Sequence, residues 1–147
     1  MFIGEYNHKI DTKGRLIIPS KFRELFGEKF FVTKGLDGCL VGYSVDEWKI
    51  FIENLKQSLD PLNDRHRKLL RFYSGAAMEC EIDEHGRILL STALRTHAKL
   101  EKEVILNGAV DHIEIWSREV SEEENTYDDI NDIAREVAAS KISTYRG

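Results

Sequence analysis

Residues 10–18 read Ile10-Asp11-Thr12-Lys13-Gly14-Arg15-Leu16-Ile17-Ile18, and residues 82–90 read Ile82-Asp83-Glu84-His85-Gly86-Arg87-Ile88-Leu89-Leu90. Laid over one another, the two stretches share the Asp, the Gly, the Arg and every apolar position. The correspondence runs outward: Phe22-Arg23 falls on Leu94-Arg95, and after a one-residue slip Phe31-Val32 falls on Val104-Ile105, Gly35 on Gly108 and Tyr43-Ser44 on Trp116-Ser117. Self-similarity at this range is read as one unit used twice.

Each copy parses in the same way. Met78, Cys80 and Ile82 alternate with Glu79, Glu81 and Asp83, the period-two pattern of a half-buried strand. Asp at the first turn position and Gly at the fourth suit a type I turn closed by a left-handed glycine, so Asp11 to Gly14 and Asp83 to Gly86 are predicted hairpin connections. Leu16 to Ile18 continues as a buried strand. Pro19-Ser20 and Ser91-Thr92 then start short helices. A second hairpin follows, Phe30 to Leu36 and Cys39 to Tyr43 around Asp37-Gly38, matched by Val104 to Val110 and Ile113 to Trp116 around Asp111-His112. A four-strand unit with so little helix cannot cover both sheet faces, which predicts that the copies interlock into one closed barrel. The expected fold is mainly β with flanking α-helices: one domain over 1–147, with repeats at about 2–59 and 76–140 joined by a helix at about 61–74.

The helices have their own signals. Ser44 and Glu47 have capping-box spacing ahead of an apolar stripe of Val45, Trp48, Phe51, Ile52, Leu55 and Leu59. Pro61 suits the first turn of a helix running to about Tyr73, with Arg65, Arg67, Lys68 and Arg71 on its exposed side. Ser121 and Glu124 repeat the capping-box spacing, and Ile130, Ile133, Val137 and Ala138 mark one face of a terminal helix.

Composition narrows the function classes. With 147 residues, 41% hydrophobic and 32% charged, the chain suits a folded soluble unit. Cys39 and Cys80 form no CxxC pair, which argues against a disulfide framework or structural zinc and for a reduced, cytoplasmic setting. No apolar run reaches the length of a signal core or membrane span. His8, His66, His85, His97 and His112 are scattered, with no helical metal pair, GxSxG elbow or phosphate-cradling loop. No enzyme activity, metal, cofactor or small-molecule substrate is therefore expected. The net charge of -5 means that any polyanion must be met by a local basic surface. Charge is indeed uneven: Lys9, Lys13, Arg15, Lys21 and Arg23 crowd the start, whereas Glu119, Glu122, Glu123, Glu124, Asp128, Asp129, Asp132 and Glu136 crowd the end.

The repeated turn supports two readings. Structurally, Asp11 accepts hydrogen bonds within its own turn and pairs with Arg15, as Asp83 does with Arg87. Such a surface pair is worth only about 0 to 1 kcal/mol, a weak reason to build it twice. Functionally, a hairpin displaying Lys13, Arg15 and Arg87, with Lys9 nearby, can hold phosphates or enter a groove as a two-stranded ribbon. In this division Asp11, Gly14, Asp83 and Gly86 shape the turns.

The run Phe2-Ile3-Gly4-Glu5-Tyr6-Asn7-His8-Lys9-Ile10-Asp11-Thr12-Lys13-Gly14-Arg15-Leu16-Ile17-Ile18-Pro19-Ser20-Lys21-Phe22-Arg23, the Gly35-Leu36-Asp37-Gly38-Cys39-Leu40 turn and the second Asp83-Glu84-His85-Gly86-Arg87 together resemble the bacterial MraZ family. The resemblance extends from Phe2 to about Trp116. It implies an AbrB-like swapped-hairpin barrel built from both halves of one chain. It further implies a nucleoid-associated regulator of the division and cell-wall gene cluster, assembled as a ring and binding direct repeats of double-stranded promoter DNA. On that resemblance the Asp11–Arg15 and Asp83–Arg87 motifs lie on the DNA-facing side. His85 stands where Lys or Gln is common and Ser91 where proline is frequent, so the first hairpin is expected to be the stronger contact, with the second tuned by His85 protonation. The alternative from a different class is an oligomeric protein-interaction scaffold without specific DNA binding.

Overall fold

The computed structural model describes residues 1–146, so Gly147, the end of the expected domain, lies outside the described residues. In chain order the elements are β1 (Glu5–Lys9), β2 (Arg15–Ile17), α1 (Ser20–Phe26), β3 (Lys29–Lys34), β4 (Leu40–Ser44), α2 (Val45–Ser58), α3 (Asp64–Ala76), β5 (Met78–Glu81), β6 (Arg87–Leu89), α4 (Thr92–His97), β7 (Glu103–Gly108), β8 (Ile113–Ser117), α5 (Arg118–Glu124) and α6 (Ile130–Arg146). The repeat is realised as read: strand, turn, strand, short helix, hairpin, twice over.

The strands form a six-stranded antiparallel sheet in the order β1-β7-β8-β4-β3-β5, with β2 and β6 as a separate two-stranded ribbon. Read backwards, that order exchanges every strand for its counterpart in the other repeat. A pseudo-dyad therefore passes between β4 and β8. The first strand of each repeat pairs with the hairpin of the other: β1 runs along β7 from Glu5↔Asn107 to Lys9↔Glu103, and β5 runs along β3 from Lys29↔Glu81 to Val32↔Met78. Strand exchange inside one chain joins the two halves.

The expected closed barrel differs from the observed pairing. β1 and β5 are the edges of the larger sheet, and β1 meets β2 only through the single bridge Ile10↔Leu16. The aspartate turns lead the chain out of each edge strand into a strand of three residues, and these two short strands pair with each other rather than with the larger sheet. The ribbon's own ladder is extended at its two ends by Ile18 N–H to the Gly86 carbonyl and Leu90 N–H to the Gly14 carbonyl, each at 2.9 Å.

One core serves both repeats. Leu16, Ile18, Phe22, Phe30 and Leu40 from the first pack with Ile88, Leu90, Leu94, Leu106 and Ile115 from the second. At roughly 1.5–3 kcal/mol for each fully buried aliphatic or aromatic side chain, Leu16 and Ile88 anchor the short ribbon to the core. Cys39 and Cys80 are buried free thiols, and desolvation pushes both up to about 12, as suits small core hydrophobes.

The helix starts follow local chemistry. Ser44 caps α2, its hydroxyl accepting from Glu47 N–H at 3.2 Å. Pro61 lies ahead of α3 rather than in its first turn, because the Asn63 side chain caps the Arg65 and His66 N–H groups and sets the start at Asp64. Ser121 is not a cap either. β8 runs directly into α5 at Ser117, which leaves Ser121 buried within the helix, bonded to the Asn125 side chain at 3.0 Å.

Candidate nucleic-acid interface

Each aspartate organises its turn through both carboxylate oxygens. Asp11 Oδ1 accepts the backbone N–H groups of Lys13 and Arg15 at 3.0 and 2.9 Å, while Oδ2 accepts Arg15 Nε at 2.7 Å. Asp83 repeats the pattern with His85 and Arg87 N–H at 2.9 and 2.8 Å and Arg87 Nε at 3.0 Å. The backbone N–H of the arginine, reinforced by its guanidinium, holds each carboxyl below the usual carboxylate range. Both pairs are solvated at the surface. The aspartate thus fixes the Nε edge of each arginine.

Pairing of β2 with β6 brings the two arginines together. The register is Arg15↔Leu89, Leu16↔Ile88 and Ile17↔Arg87. Opposite residues share a face, so Leu16 and Ile88 point into the core while Arg15, Ile17, Arg87 and Leu89 form the outer face. Arg15 and Arg87 are diagonal neighbours, roughly 7–8 Å apart. Ile17 at 42% and Leu89 at 57% exposure lie between them as an uncovered apolar strip. Lys13 is exposed in the turn before Arg15. Lys9 has a different setting: it ends β1 opposite Glu103 and lines a groove of mixed charge, in which Glu101, Glu103, Glu119 and Glu122 stand among Lys99, Lys102 and Arg118.

Two further arginines emerge that the turn motif does not reveal. Gly14 and Gly86 have left-handed φ of +87° and +78°, and each lies against an arginine of the other repeat. A Cβ on Gly14 would sit 2.8 Å from Arg95 Nε and from the Leu90 carbonyl, and one on Gly86 would overlap Arg23 Nη1. Arg95 Nε is buried there without a hydrogen-bond partner. His8 stands near Arg23, and burial, aided by that positive charge, lowers its pKa. The sequence signal for these residues was the coincidence of Phe22-Arg23 with Leu94-Arg95. Its meaning depends on contacts that cross from one repeat to the other.

The remaining chemistry is sparse. Among the described residues no group of His, Cys, Asp and Glu could hold a metal ion, and no helix is long and apolar enough to cross a membrane. What the ribbon offers is two oriented guanidinium groups on an outer face two strands wide.

Comparison with known proteins points the same way. A family profile described as "MraZ protein" matches residues 1–72 and again residues 73–132. The chain is 48% identical over 143 residues to "Transcriptional regulator MraZ" of Lachnoclostridium phytofermentans, covering 97% of this chain and 99% of that protein. It is 49% identical over 146 residues to the protein of the same name in Caldanaerobacter subterraneus subsp. tengcongensis, covering 99% of each. The relatives are named as regulators of transcription, not as enzymes. With two matched repeats and near-complete coverage at this identity, the chain belongs to the MraZ family.

Proposed function

We propose that the protein is a DNA-binding transcription regulator that reads double-stranded promoter DNA with the outer face of the β2–β6 ribbon. The observation that carries this reading is the diagonal placement of Arg15 and Arg87 on one outward face of the paired strands, each held at Nε by its own aspartate. A ribbon two strands wide fits a major groove about 12 Å across, where arginine gives two hydrogen bonds to guanine. Pre-orientation by the aspartates lowers the entropy of ordering two long side chains on binding. Lys13 supplies a phosphate contact at the same tip, and Lys9 a more remote one. The exchange of β1 and β5 between repeats supports an AbrB-like swapped-hairpin arrangement within one interlocked domain.

In this reading the regulator acts at the division and cell-wall gene cluster, in the cytoplasm at the nucleoid. Few basic groups on an acidic chain make a single subunit a weak binder. A ring of subunits on direct DNA repeats converts later contacts into intramolecular ones, raising avidity by roughly a hundredfold to ten-thousandfold.

Fluorescence anisotropy with the repeated boxes ahead of the protein's own gene, against scrambled DNA over a salt series, tests this. Arg15→Ala is expected to weaken box binding by about tenfold or more, corresponding to one lost base contact of roughly 1–3 kcal/mol, with the assembled mass unchanged. Arg87→Ala is expected to lose less, because its turn carries His85 where the first carries Lys13. Unchanged affinity in Arg15→Ala would refute the assignment. Loss of assembly in that variant, together with equal binding of boxes and scrambled DNA, would favour the scaffold.

A further inference from the structure

The outer face of the β2–β6 ribbon alternates charged and apolar side chains. Its register sets Arg15 opposite Leu89 and Ile17 opposite Arg87, so the four side chains make a two-by-two checkerboard. The arginines occupy one diagonal, and Ile17 and Leu89 the other. Direct cross-strand neighbours stand about 4.5–5.5 Å apart, which places an apolar side chain beside each arginine. Ile17 and Leu89 are also counterparts in the two repeats, so this apolar position, like the arginine, is built twice.

Within the chain the apolar diagonal has no packing task. Ile17 and Leu89 are exposed and belong to neither apolar cluster of the fold. Leu16 and Ile88 anchor the ribbon from its opposite face. Strand preference accounts for Ile17 at most, because leucine is not among the β-branched and aromatic residues that strands favour. A solvent-facing strip on a small ribbon is ordinarily polar or charged, since exposed apolar strands invite association. What fits an apolar diagonal crossed by two guanidinium groups is a surface that sets methyl groups among hydrogen-bond acceptors. The floor of the major groove is such a surface: thymine presents its C5-methyl beside O4, and guanine presents O6 and N7. Bases rise about 3.4 Å per step, so a diagonal of roughly 7–8 Å spans about two steps.

We infer that Ile17 and Leu89 select thymine by packing against its 5-methyl group, next to the guanines met by Arg15 and Arg87. Recognition is then divided by chemistry. The arginines choose guanine through hydrogen bonds, and the apolar pair chooses thymine over cytosine, which carries only hydrogen at C5. The inference rests on the ribbon reading above and adds a second pair of specificity-determining residues to it.

Fluorescence anisotropy with three duplexes tests it: the repeated boxes ahead of the protein's own gene, the same boxes with deoxyuridine in place of every thymidine, and scrambled DNA. Deoxyuridine removes the methyl group and leaves base pairing and O4 unchanged. From the value of one buried methyl, wild-type affinity is expected to fall about fourfold for one contacted thymine and about fifteenfold for two. Ile17→Ala with Leu89→Ala should bind thymine and uracil boxes equally while still preferring both to scrambled DNA. Both positions are exposed, circular dichroism checks the fold, and the wild-type arm depends on no variant. A wild type that binds boxes and scrambled DNA alike overturns the ribbon reading and this inference together. A wild type that prefers the boxes but binds their uracil form equally well overturns the methyl contact alone. The same holds if the double variant stays fully sensitive to uracil, which would assign the methyl effect to other residues or to DNA stiffness, or if the boxes contain no thymine. Loss of assembled mass in the double variant would mark the strip as a contact between chains and likewise overturn it.

Discussion

At the scale of single residues, the turn glycines join one repeat to the other. Gly86 is needed twice, once for its φ of +78° and once because Arg23 occupies the space where a side chain would begin. Gly86→Ala should therefore destabilise the protein by roughly 1–3 kcal/mol, combining left-handed strain with displacement of Arg23. Gly75 is the control. It lies inside α3 with open space around it, so Gly75→Ala should stabilise by about 0.5–1 kcal/mol through helix propensity. Urea midpoints with an unchanged slope separate the two, and equal shifts of one sign would refute the cross-repeat contact. The motif residues Asp11, Gly14, Asp83 and Gly86 were legible as turn formers from type and spacing alone. Arg23 and Arg95 were visible only as a coincidence between repeats, because no local pattern announces a partner about sixty residues or more away in sequence.

At the scale of elements, each aspartate turn is a charge-dependent clasp whose pH dependence has a defined sign. The folded carboxyl pKa of Asp11 and of Asp83 is depressed, chiefly by a backbone N–H of Arg15 and of Arg87. A depressed carboxyl stabilises the fold above its ordinary value of about 4, and the contribution fades as pH falls through the lowered folded value. Asp11→Asn and Asp83→Asn should thus lower the melting temperature at pH 7 and converge on the wild type toward pH 2. A gap between variant and wild type that stays constant across that range would show that the charge is not the agent. Elements were largely legible where one local signal dominated: alternation gave the strands, and Ser44 gave the start of α2. Pro61 and Ser121 misled because each had a better-placed competitor, Asn63 as the cap of α3 and the β8–α5 junction at Ser117.

At the scale of the whole molecule, period-two alternation identifies strands but not their partners, which is why the repeat was readable and the open sheet was not. Nothing in Glu5–Lys9 says that it pairs with Glu103–Gly108, nearly a hundred residues later, rather than with its own hairpin. The exchange has an energetic consequence that distinguishes it from two units standing side by side. Each half alone would lose its first strand's partner and expose Leu16, Phe22 and Phe30, or Ile88, Leu94 and Leu106, to water. A chain of well under a hundred residues already buries too little surface to absorb such a loss. The exposed connection between α2 and α3 lets this be measured, since cutting after Asp60 severs no strand pairing. Fragments 1–60 and 61–147 should each lack a cooperative melt when alone. Mixed at equal concentration, they should recover the strand signal in circular dichroism and co-elute, with a melting temperature that rises with concentration, as expected for a two-chain folded state. If fragment 61–147 melts cooperatively without its partner, the second repeat holds a sufficient core of its own, and the exchanged strands add contact without joining the halves.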